Sequence, residues 1–186
     1  ILANRSYFSS SSEIYKFFTF RRPMPSYFSG PSGSNQWGWL EVYPQHAFYD
    51  ADGSLEQVTV GVAQNAVDSA LAFMSHKSGA MGRSWHDGAK EPGTDAVNYG
   101  YNFAEQWDRA LSLDPEFIFI TGWNEWTSMR FLEWSGYTGS DSYYSNALFI
   151  DQYNQEYSRD IEPMTDGHTD NYYYQMVDNI RRFKGV

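Results

Sequence analysis

Hydrophobic and polar positions follow two different periods along this chain, and the switches between them mark the expected elements. Phe103, Ala104, Trp107, Ala110 and Leu111 fall close to the i, i+3, i+4, i+7, i+8 stripe, which predicts a helix over 103–113 packed on a sheet. Tyr173, Met176, Val177, Ile180 and Phe183 repeat the stripe and predict a closing helix over 170–184. Asp170 stands early in it and Arg181, Arg182 and Lys184 late, as the helix dipole favours. Between the two, Phe117-Ile118-Phe119-Ile120 is an unbroken run of strong β preference that ends at Thr121-Gly122, the pattern of a buried parallel strand. Asp114-Pro115 joins the first helix to that strand in a connection of α/β type.

Three more extended stretches are expected upstream. After a short helix capped by the serines at 9–12, Phe17-Phe18-Thr19-Phe20-Arg21 reads as a strand stopped by Arg22-Pro23-Met24-Pro25. In the stretch 37–46, Trp39, Glu41 and Tyr43 alternate with Leu40 and Val42, which sets Glu41 on one face with two aromatic rings. The stretch 56–63 is the third, with Gln64 and Asn65 at its end. Asp50-Ala51-Asp52-Gly53 before it is a hairpin turn rather than a calcium loop, because the remaining oxygen ligands and the closing Glu are missing. Residues 68–74 read as a helical turn and 75–102 as a long loop, a length more often functional than idle.

Length limits what these elements build. The 186 residues, 41% hydrophobic and 19% aromatic, bury one good core, whereas a complete eight-stranded α/β barrel usually needs ~250 residues. Ile1-Leu2-Ala3-Asn4 carries no initiator Met and none of the regions of a signal peptide. The expectation is an α/β fold, a single domain over 1–186 that forms the C-terminal portion of a TIM-type (β/α)8 barrel, with its N-terminal half in the same full-length protein.

Charge and composition narrow the partners. A net charge of -10 argues against nucleic acid and anionic membranes, and no apolar run is long enough to span a bilayer. The absence of cysteine excludes disulfides and thiolate metal sites. Fifteen Tyr and seven Trp suit a neutral carbohydrate.

The chemistry gathers just past the Phe117 run. Carboxyl ends of parallel strands face ligands, so Glu125 is the leading catalytic candidate. Trp123 and Trp126 offer stacking faces for sugar rings, and Asn124 a donor and an acceptor for hydroxyls. Glu41 is the second catalytic candidate, with Trp39 and Tyr43 beside it. Gln64 and Asn65 are placed to bond sugar hydroxyls or the next loop. Arg83, Trp85 and His86 combine a donor, a ring face and a titratable group in the long loop, and are assigned to substrate binding. His76 and His86 lack helix-face ligand spacing, so no metal and no cofactor is expected. The aromatic insertion over 131–153 reads as a lid or a packed surface loop. Two indoles flanking Glu125 are expected to take it partly out of water, as a general acid requires.

Asn124-Glu125-Trp126 after an apolar strand, with Arg159-Asp160-Ile161-Glu162-Pro163 and a tyrosine-rich helix downstream, resembles the end of the catalytic barrel in glycoside hydrolase family 99-like and WbsX-like proteins, the endo-α-mannosidase relatives common in Bacteroidetes. That family typically reads Asn-Glu-Trp-x-Glu-Gly, followed by Ile-Glu-Pro or Leu-Glu-Pro. Ser128 stands here at the place of the second glutamate. The resemblance implies a glycoside hydrolase of a periplasmic or extracellular location, acting on an oligo- or polysaccharide such as a mannose-containing glycan. Glu125 would be its catalytic carboxylate, and Arg159, Asp160 and Glu162 would lie beside the barrel mouth. Ser128 leaves open the alternative of a non-catalytic carbohydrate-binding protein on a degenerate barrel.

Overall fold

The computed structural model describes residues 8–24, 26–125, 128, 130–139 and 146–186. A short helix α1 (Glu13–Phe17), capped by Ser12, precedes β1 (Arg22–Met24), which pairs in parallel with β2 (Gln36–Gly38). Next come β3 (Phe48–Tyr49) and β4 (Leu55–Val60), then the tight hairpins β5 (Ala66–Val67) with β6 (Ala70–Leu71) and β7 (Trp85–His86) with β8 (Ala89–Lys90). Helix α2 (Tyr101–Leu113) leads to β9 (Phe117–Ile120). Beyond it lie β10 (Arg130–Phe131), β11 (Glu133–Trp134), β12 (Tyr137–Thr138), β13 (Leu148–Phe149) and the closing helix α3 (Asn171–Lys184).

The expected part of a (β/α)8 barrel is not what forms. Among the described residues there are three α-helices and many short strands divided over six small sheets, and the largest of these sheets has three strands in the order β3-β4-β9. One βαβ unit is present, β4 and β9 running parallel with α2 between them, Val58 opposite Ile118 and Val60 opposite Ile120. It is not extended into a barrel, because β9 is an edge strand. Among the described residues only β4 pairs with it, and the four side chains of β9 are exposed to half-buried rather than enclosed on both faces.

Buried side-chain amides explain why the extended stretch at 37–46 does not become a full strand. Beyond β2, the backbone of 39–46 bonds to side chains and, at Val42, to the Tyr27 carbonyl (3.2 Å) instead of joining a ladder, since each buried carbonyl needs one donor from any source. Gln106 donates to the Glu41 carbonyl (2.9 Å) and Arg109 to the Gln45 carbonyl (2.7 Å), while the Gln45 side chain anchors the segment from within by donating to the carbonyls of Thr59 (2.9 Å) and Gln106 (3.0 Å). The chain therefore bends after Gly38, and the expected alternation fails: Glu41 is buried while Trp39 and Tyr43 are exposed. Upstream, Phe17 ends α1 with 81% of its surface exposed rather than opening a buried strand. The helical turn expected over 68–74 is a hairpin turning on Asp68 and Ser69, both at positive φ.

The core joins the βαβ unit to the closing helix. Val58 and Val60 of β4, Phe103 and Trp107 of α2, Ile161 and Tyr172 are all buried together, with Ile118, Ile120, Met176 and Ile180 packed against them. This burial, worth roughly 1.5–3 kcal/mol for each large apolar side chain, fixes the carboxyl end of β9 against the segment 157–162. No helix among the described residues is long and apolar enough to cross a membrane.

Candidate functional site

The polypeptide turns sharply at the end of β9 because Thr121 still bonds to Val60 (2.9 Å) whereas Gly122 takes φ +90°. That turn leaves the Gly122 and Trp123 carbonyls free to accept from the N–H groups of Ile161 and Glu162 (2.8 and 2.9 Å). Two distant stretches of chain are thereby laced together, and a cleft of about 170 Å³ opens between them. Trp39, Trp123, Asn124, Glu125, Arg159 and Asp160 line it.

Arg159 organises the charges. Its buried guanidinium forms an ion pair with Asp151, stands 3.6 Å from the Glu125 carboxylate and donates to Asn65 Oδ1 (3.0 Å) and the Tyr27 hydroxyl (3.4 Å). Its face lies 5.4 Å from the Trp39 ring. Ser128 donates to the other Asp151 oxygen (2.8 Å), so its hydroxyl contacts a carboxylate that stands 23 residues further along the chain.

The two acids at the cleft occupy different surroundings. Glu125 keeps about half of its side chain exposed (49%), so the expected desolvation by flanking indoles does not fall on it. It falls on Asp160, which is 5% exposed. Burial pushes the Asp160 carboxyl up to about 6, against the lowering effects of the Glu125 backbone N–H, Arg83 and Arg159. A buried carboxyl that holds its proton up to about 6 beside a half-exposed acid is an acid/base pair set apart by environment.

The remaining candidates divide between the cleft and elsewhere. Asn124 bonds to Glu162 (2.8 Å) at the rim, and Asn65 supports Arg159 from behind. Glu41 does not line the cleft. Its Oε2 accepts from the backbone N–H of His46 (2.5 Å) and lies 3.1 Å from that residue's ring Nδ1, and burial pushes the carboxyl up to about 8. Tyr43 is exposed on the bent segment and is not part of the cleft lining either. Gln64 is buried and donates to Asn102 (2.9 Å), a structural contact. Trp85 borders a separate hollow with Met81 and Gly88. His86 stacks on Tyr101 at 4.6 Å and pairs with Glu91 (3.0 Å), which raises its pKa. Arg83 is buried behind the 158–160 segment. Trp126 lies outside the described residues.

Asp151 and Tyr27 were not among the candidates read from the chain. Nothing near either resembles a motif, and only the convergence of both on Arg159 marks them. No group of three His, Asp or Glu suited to a metal occurs among the described residues. In comparisons with family models, with curated proteins and with solved structures, no match to this chain was found.

Proposed function

We propose that this chain is a glycoside hydrolase acting on an oligo- or polysaccharide in the cleft past β9, with Asp160 as proton donor and Glu125 as the second carboxylate. The observation that carries the reading is the meeting of these two acids, one buried and holding its proton to about 6, the other half-exposed, in one cleft walled by Trp39 and Trp123. Glycosidic cleavage needs one carboxyl to protonate the leaving oxygen and another to activate water or attack the anomeric carbon. The indoles supply apolar faces for a sugar ring, and Asn124 and Glu162 supply rim contacts to hydroxyls. The likeness to the family 99-like and WbsX-like proteins at Asn124-Glu125 and Ile161-Glu162-Pro163 supports the same chemistry without the barrel.

A second reading is favoured by Arg159. It engages Asp151 and faces Glu125 at once, and a cleft whose charges are already paired suits a protein that binds glycans without cleaving them. Reducing-sugar release and polysaccharide depletion, measured side by side on the wild type and Glu125→Gln, separate the two. Hydrolysis expects binding in both and turnover lower by ~100-fold or more in the variant. Depletion without release by the wild type selects the binding reading. Neither depletion nor release from any glycan overturns both.

A further inference from the structure

We propose that Arg83 is a positioning residue for Asp160: its buried guanidinium holds the turn at 158–160 in place and sets the charge environment in which the Asp160 carboxyl works. This rests on the reading of Asp160 as the acid of the cleft.

The argument starts from burial. Arg83 is 1% exposed, among the largest fully buried side chains of the protein. Among the described residues it forms no ion pair, although a buried cation without one is costly. Its position is pinned at the backbone, where its N–H bonds to the Glu156 carbonyl (3.0 Å) and its carbonyl accepts from Asn102 at the start of α2 (3.1 Å). From there Nη2 donates to Ser158 Oγ (3.2 Å) and to the Asp160 backbone carbonyl, while the Tyr172 ring covers the guanidinium face at 4.3 Å. Tyr172 is itself fixed by its hydroxyl, which donates to the Val97 carbonyl (2.6 Å). The guanidinium thus ties the loop before α2, the first turn of α3 and the segment that carries Asp160.

Hydrogen bonds to a hydroxyl and a carbonyl do not themselves require a charge. The charge has consequences for the titratable neighbours. Asp160 faces Arg83, Arg159, Glu125 and the Glu125 N–H, and Arg83 is one of the groups that restrain the upward push of burial on it. Arg83 also faces Glu156, which accepts from Ser84 Oγ (2.6 Å), and His168, which burial and the Arg83 charge hold down to about 4, hence neutral. Without the cation, only the Glu125 N–H and Arg159 would oppose burial, so the Asp160 carboxyl would hold its proton to higher pH and its conjugate base would be harder to form during turnover.

The test needs no sugar. The side-chain carboxyl of Asp160 is titrated by carbon-13 NMR in the full chain, in the wild type, Arg83→Lys and Arg83→Met. Arg83→Met is expected to move the midpoint up from about 6 by about 1 or more, the usual scale for losing a nearby opposite charge. Arg83→Lys, which keeps the charge and loses the fork, is expected to hold the midpoint close to wild type and to shift the amide resonance of Glu125, which contacts that carboxyl. An unchanged midpoint in a folded Arg83→Met protein overturns the proposal. If that variant does not fold, an Arg83→Lys protein with a wild-type Glu125 amide overturns it instead. A chain that cleaves no glycan removes the proposed activity and leaves the coupling of Arg83 to Asp160 to be decided by this titration alone.

Discussion

The Asp160 carboxyl lies against the backbone N–H of Glu125, so the two acids of the cleft are linked through main chain rather than side chain to side chain. The contact is reinforced by Ile161, whose N–H reaches the carbonyls of Gly122 and Trp123 (2.8 and 3.2 Å). A hydrogen bond to a backbone donor survives replacement of the Glu125 side chain. The two acids can therefore be altered one at a time without dismantling the turn that joins them.

That independence gives a pH signature. If Asp160 donates the proton, kcat/KM falls as pH rises through about 6, because the acid form is lost above that value. Asp160→Asn abolishes this descending limb and lowers turnover by ~100-fold or more. A profile of kcat/KM against pH for both proteins checks it, and a limb that persists in the variant assigns the acid to another residue.

Arg159 is expected to matter most for stability. It is 6% exposed and ion-paired to the equally buried Asp151. Arg159→Met strands that carboxylate, a change that typically costs about 3–5 kcal/mol. The double variant Arg159→Met with Asp151→Asn should recover much of the loss, because no buried carboxylate is left unpaired and Glu125, the other partner of Arg159, is half-exposed to water. Ser128→Ala, which removes one neutral donor to Asp151, should cost about 1 kcal/mol. Urea denaturation of the four proteins checks the order.

Where the sequence was legible, local physics decided the outcome. Both long helices lie where the 3.6-residue stripes put them, since an amphipathic face demands a core whatever the topology, and β4 and β9 follow their apolar runs. The barrel was not legible because a run such as Phe117–Ile120 has the same appearance in a central strand and in this edge strand. Glu41 was misplaced because alternation cannot reveal that Gln106 and Arg109 would satisfy carbonyls of 38–46 while the Gln45 side chain turns inward onto the Thr59 carbonyl, bending the segment. At the site, Glu125, Trp123 and Asn124 announced themselves as neighbours in sequence. Asp151 and Tyr27 reach Arg159 across 8 and 132 residues, and no local pattern records such contacts.

Glu41, away from the cleft, provides a test of stability against pH. In the unfolded chain it ionises near 4.5, whereas burial pushes it up to about 8 in the fold. Between those values the native state holds a proton that the unfolded state has lost. Its contribution is therefore fully present below about 4.5 and declines as pH rises toward about 8. Asp160 adds a slope of the same sign between 3.8 and about 6. Glu41→Gln, a neutral side chain of the same shape, should flatten the decline and stabilise the protein at pH 7 by roughly 1–3 kcal/mol. Melting temperatures at several pH values check this, and parallel curves for wild type and variant would remove Glu41 as the cause.

Gly122 holds the two walls of the cleft together by lacking a side chain. Its φ of +90° disfavours any L residue, and a methyl group on it would overlap the Arg159 carbonyl, which is backbone and cannot swing aside. Gly136, in the turn between β11 and β12, provides the control. It has φ +83° and nothing within 4 Å of where a methyl group would stand. Alanine at Gly136 therefore incurs the conformational strain alone, about 1 kcal/mol. Alanine at Gly122 incurs that strain and the overlap, for a total of about 2–4 kcal/mol. The excess is relieved in part by moving 159–161 away from the strand end, which weakens the Ile161 bonds to Gly122 and Trp123 and draws Asp160 off the Glu125 N–H. Gly122→Ala should then lose cleft function at temperatures where it remains folded, whereas Gly136→Ala keeps it. Calorimetric melting with amide hydrogen exchange at Ile161 and Glu162 reads both effects, and equal stability losses in the two variants would show that the close approach of Gly122 to Arg159 does not hold the site together.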